Sequence, residues 1–94
     1  MDTAAFLIEI SKRAGPPLDV PDPLAFAEAF LAESGDTAEG QTLRRAIDAI
    51  AFDWGSLNES DIWRLSRRSL QLVSALCEAR LSGQYLPLEW ARVR

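Results

Sequence analysis

The stretch from Glu59 to Ser82 contains neither glycine nor proline, and its apolar residues recur at helical spacing on two sides. At about 3.6 residues per turn, Ile62, Leu65, Ser69, Leu72, Leu76 and Ala79 fall on one stripe, with Val73 beside it. Trp63, Leu70, Cys77 and Leu81 form a second stripe, about 100° further round the axis. A helix this apolar needs neighbours around much of its girth, which makes it the expected centre of an all-α domain. Asn58 is the expected N-cap, with Asp61 three residues on in a variant of the capping box, and Glu59 and Asp61 complement the positive end of the helix dipole. Arg80 in the last turn, Gly83 as a left-handed cap and Pro87 beyond it mark the end. Leu65, Leu72 and Leu76 are expected in the core, each contributing about 1.5–3 kcal/mol if fully buried.

Other helices are legible around this one. Thr3 to Arg13 reads as a helix with Asp2 or Thr3 as cap and Phe6, Leu7, Ile10 and Ala14 facing inward. Gly15-Pro16-Pro17 ends it, and consecutive prolines predict an extended path to Pro21, with Leu18 and Val20 tucked against the bundle. Asp22-Pro23 is a strong helix start, opening a segment to Glu33 with Leu24, Ala27 and Leu31 on one stripe and Phe26 and Phe30 on another. Asp36 with Glu39 predicts a capping box for a helix reaching about Phe52, lined by Leu43, Ala46, Ile47, Ile50 and Ala51. Gly40 weakens its first turns. The expected architecture is therefore a small four-helix bundle, 3–13, 23–33, 37–52 and 59–82, with an apolar tail (Tyr85, Leu86, Leu88, Trp90, Val93) packed on its own domain or on a partner subunit.

A chain of 94 residues supports one domain with one modest core. The lone Cys77 allows no internal disulfide, which points to a reducing compartment. No apolar run reaches the length of a membrane helix, and Met1-Asp2-Thr3 lacks the basic start of an export signal, so the expected location is the cytoplasm with no membrane partner. Arginine greatly outnumbers lysine, represented by Lys12 alone, and alanine is abundant, a bias common in GC-rich bacterial genomes.

The composition also excludes chemistry. Without histidine there is no Ser-His-Asp or Cys-His catalysis and no histidine-bound zinc, and one cysteine supports neither a thiolate metal cluster nor CxxC redox work. No Walker A, GxGxxG or EF-hand pattern is present. An enzyme would have to use carboxylates such as Glu28, Glu33, Asp36 and Glu39, all of which helix capping and solvated helix surface explain as well. The expectation is a non-enzyme with no cofactor and no metal.

Two charged surfaces remain. Asp19, Asp22, Glu28, Glu33, Asp36 and Glu39 occur without one basic residue between Ala14 and Leu43, whereas basic residues dominate from Ile62 onward. The acidic segment suits docking on a basic partner surface, with Trp54 and Trp90 as aromatic anchors. Arg64, Arg67, Arg68 and Gln71 share a helical face and suggest a helix-turn-helix in which Glu59 to Gln71 reads DNA, although Asp61 occupies a position where such motifs carry an apolar residue. The leading expectation is a protein-binding adaptor, regulator or inhibitor. A DNA-binding regulator is the alternative, and the two-sided apolar helix leaves a homodimer open.

Overall fold

The computed structural model describes Lys12, residues 17–52 and residues 59–93, and among these it is helical with no strand. We label the helices α1 (Pro23–Ser34), α2 (Ala38–Phe52), α3 (Glu59–Trp63), α4 (Arg67–Ser82) and α5 (Pro87–Trp90), the last running into a 3₁₀ turn at Ala91–Val93. The expected helix 3–13 lies outside the described residues apart from Lys12, which is helical and exposed. Trp54 and Asn58 also lie outside them.

The all-α expectation holds, but the run from Glu59 to Ser82 is two helices, not one. Ser66 takes an extended conformation (φ −65°, ψ 163°) and caps α4, its hydroxyl accepting the Ser69 N–H at 3.2 Å. In an uninterrupted helix the Ser66 amide would bond to the carbonyl four residues back. Here it donates to Glu39 Oε2 at 3.1 Å, while the Ser69 hydroxyl donates to Glu39 Oε1 at 2.8 Å. One carboxylate on α2 thus collects donors from the break and from the first turn of α4. Absence of glycine and proline left this invisible, because the breaking agent comes from a distant part of the chain. Asp61, the expected capping-box partner of Asn58, pairs with Arg45 at 3.5 Å, and the box itself falls on Asn58, outside the described residues.

Despite the break, α4 is enclosed as expected of a central element, packing on both α1 and α2, which also pack on each other. Leu65, Ser69, Leu72, Val73, Leu76 and Ala79 are all buried, as are Leu70 and Cys77 of the second stripe. Trp63 and Leu81, at the two ends of that stripe, are 47% and 69% exposed. Leu24, Ala27 and Leu31 from α1, Leu43, Ala46, Ile47, Ala49 and Ile50 from α2, and Trp90 and Val93 from the tail join them in the core, with Phe26 and Phe30 at its edge.

The helix ends follow local chemistry with one exception. Asp22 caps α1, its Oδ1 accepting the Ala25 N–H at 3.1 Å. Gly83, at φ 70°, closes α4: its N–H reaches the Arg80 carbonyl, and the Gln84 N–H reaches that of Ala79 at 3.0 Å, a Schellman arrangement. The exception is α2, which is capped by Thr37 and not by an Asp36–Glu39 box. The Thr37 hydroxyl accepts the Gly40 N–H at 3.0 Å and donates to the Ser34 carbonyl at 2.6 Å. Glu39 is drawn away to the serines. Gly40 is a packing requirement where a weak point was expected, since a Cβ there would lie 2.0 Å from the Ser34 carbonyl oxygen.

Candidate functional site

Residues 17–20 carry no regular structure and run beside α4 from Pro17 to the Pro21-Asp22-Pro23 start of α1, prolines whose fixed φ disfavours coiling. The Leu18 N–H donates to the Gln71 carbonyl at 3.0 Å, which ties this strap to α4 at one end. Further along, strap and helix part, leaving a trough of about 820 Å³. Its walls are mainly apolar: Pro17, Leu18 and Val20 on one side, Ala75, Ala79 and Leu81 on the other. Among the described residues, Asp19 and Glu78 are the charged ones of its lining, and both are exposed. Sequence reasoning saw the strap but not the trough. The available signal was Leu81, an apolar residue in the last turn of a helix where Arg80, Ser82 and Gly83 are all polar or small.

Three carboxylates of the acidic segment, Asp22, Glu28 and Glu39, are engaged within the fold. Asp22 Oδ1 accepts the Tyr85 hydroxyl, and that hydroxyl in turn accepts the Leu24 N–H at 3.1 Å. The bond from Tyr85, aided by the Ala25 N–H, lowers the Asp22 pKa. Burial, reinforced by the hydrogen bond to Asp22, pushes the Tyr85 phenol up to about 12. Glu28 Oε2 pairs with Arg92 at 3.0 Å, and the Gln84 side chain donates to the Pro21 carbonyl at 3.1 Å. These contacts latch the tail onto the start of α1. Glu39 is committed to Ser66 and Ser69. Asp19, Glu33 and Asp36 are exposed, so about half of the expected acidic face is engaged in holding the fold together.

Of the two expected aromatic anchors, Trp54 lies outside the described residues and Trp90 is buried, 3% exposed, meeting the Tyr85 ring edge-on with centroids 5.3 Å apart. Trp90 therefore serves the core and offers no surface to a partner. The tail divides accordingly: Trp90 and Val93 are buried and Tyr85 half-buried, while Leu86 and Leu88 stand out at 69% and 86% exposure.

Arg64, Arg67 and Arg68 are exposed, but they flank the break at Ser66 instead of sharing one helix, and Arg68 lies over the Phe26 ring at 5.2 Å. Gln71 is half-buried beside the strap. The continuous reading helix from Glu59 to Gln71 is absent.

Little in these groups suits covalent chemistry. Burial, with the Glu78 charge adding to it, pushes the Cys77 thiol up to about 12, so it is protonated at neutral pH. Among the described residues no group of three or more carboxylates and cysteines is placed to hold a metal ion, and no helix is long and apolar enough to cross a membrane. No protein-family model matches the chain, and no curated protein or solved structure matches it either.

Proposed function

We propose that the protein is a non-catalytic binding module that works by docking on another protein. One observation carries the reading: an apolar trough of about 820 Å³ beside exposed Leu81, where most other large apolar side chains among the described residues, Trp63, Leu86 and Leu88 apart, pack inward. An exposed apolar concavity is retained against its solvation cost where something covers it in use. Catalysis would call for polar groups converging on that space, and Asp22, Glu39 and Tyr85 spend their hydrogen bonds on helix ends. The trough thereby replaces the acidic segment as the leading contact surface, with Asp19 common to both.

The test is covalent cross-linking in the native host followed by identification of the attached proteins. A stoichiometric protein partner is expected. Recovery that depends on nucleic acid would favour the arginines at 64, 67 and 68, and turnover of a small molecule without any partner would overturn the binding reading.

A further inference from the structure

We infer that the trough between the strap and α4 takes a short amphipathic helix from the partner, one whose apolar stripe is flanked by basic residues. The inference rests on the binding-module reading and adds the chemistry of what is bound. The apolar walls, Leu18 and Val20 against Ala75, Ala79 and Leu81, provide anchoring surface along one direction, that of α4. From Ala75 to Ser82 this wall is about 10 Å long, roughly two helical turns, which matches apolar anchors three and four residues apart on a partner helix.

Charge selects among such helices. Among the described residues of the lining, the two ionisable ones, Asp19 on the strap and Glu78 on α4, are acidic and exposed, and they sit on opposite walls. A helix with lysine or arginine beside its apolar stripe would meet a carboxylate on either side, whereas an acidic one would meet repulsion. The space falls within the range of small-molecule sites, about 300–1,000 Å³, but such sites enclose most of the ligand's surface. Here Leu81 is 69% exposed, so the apolar surface continues over the rim and suits an occupant larger than the trough.

The probes are two fluorescein-labelled amphipathic peptides with the same leucine stripe, one filled out with lysine and the other with glutamate, titrated by anisotropy against the full chain. The lysine peptide is expected to bind with a micromolar dissociation constant and the glutamate peptide at least about tenfold more weakly. Leu81→Asp should weaken the lysine peptide by about tenfold or more, and Asp19→Lys with Glu78→Lys should reverse the preference. All three positions are exposed, and circular dichroism checks that each variant folds. Equal binding of both peptides, binding indifferent to Leu81→Asp, or no binding at about 100 μM would overturn the inference. So would self-association lost in Leu81→Asp, which assigns the trough to a second copy, or nuclear Overhauser contacts from Ile10 to Leu81 within one chain, which assign it to residues upstream of the strap. If peptide binding fails while a cross-linked partner persists in Leu81→Asp, the module reading stands and its surface lies elsewhere. Loss of both sinks both.

Discussion

Tyr85 shows how much one hydroxyl can hold. It donates to the carboxylate that caps α1 and accepts the next free amide of the same helix end, Leu24 N–H, so it satisfies two groups that a helix start leaves unpaired. Because this is the one tyrosine in the sequence, its ionisation can be read directly from tyrosinate absorbance. The native midpoint should lie near 12 against about 10 in denaturant. A phenol whose pKa is raised by folding contributes stability in full below the unfolded value. That contribution falls away as pH rises from about 10 through the native value. Asp22 has the opposite sign: its native pKa is lowered, so its contribution is present above the unfolded value of about 3.9 and is lost as pH falls through the native one. Tyr85→Phe should reduce stability by about 1–2 kcal/mol in urea denaturation, since it leaves the Leu24 amide without its partner. Gly40→Ala tests the same scale from the steric side. Helix propensity favours alanine by about 1 kcal/mol. The Cβ would meet a backbone carbonyl at 2.0 Å, so a net loss of roughly 1–3 kcal/mol is expected, and a gain on thermal melting would show that the Ser34 turn yields easily.

At the scale of elements, the informative event is the break between α3 and α4. Of the α4 residues that periodicity named, those from Ser69 to Ala79 are buried and Leu81 is not, while buried Ser74 and Ala75 went unnamed; the spacing of apolar and polar positions is local information. It could not register the break, since local propensity at Leu65-Ser66-Arg67 permits either path. The choice goes to Glu39, brought over by the packing of α2 on α4. Ser66→Ala removes the cap and two of the hydroxyl's contacts, and should lower stability by about 0.5–2 kcal/mol, measured by denaturant melting. An unchanged or raised midpoint would mean that α3 and α4 fuse at no loss, and that the serine is incidental.

For the molecule as a whole, the break decides the dimensions. A straight helix from Glu59 to Ser82 would be about 36 Å long, whereas the fold spans 29 × 28 × 26 Å. With the chain bent at Ser66, Leu65 remains in the core, and α1, α2 and α4 share one apolar centre around Leu24, Leu43, Ile47, Leu72, Val73 and Leu76. Leu72, 1% exposed, lies within that centre, and Leu72→Ala should reduce stability by about 2–5 kcal/mol. For a domain this small that is a large share of the total, which is typically about 5–15 kcal/mol, so loss of cooperative melting is an acceptable outcome and a change under about 1 kcal/mol is not.

Residues near one another along the chain carried most of what could be read in advance. Helix periods, the Asp22-Pro23 start, the Gly83 stop and the stripes of α1, α2 and α4 depend on spacing within a few turns, where backbone geometry converts residue order into position. The polar side chains behaved differently. Glu39, Asp22 and Glu28 were each counted in an acidic surface, and each is engaged by a residue far along the chain: Ser66, Tyr85 and Arg92. The trough beside Leu81 likewise exists only because the strap meets α4. Hydrogen-bond partners and open concavities are properties of pairs of elements, and their pairing is set by how the apolar faces stack in three dimensions.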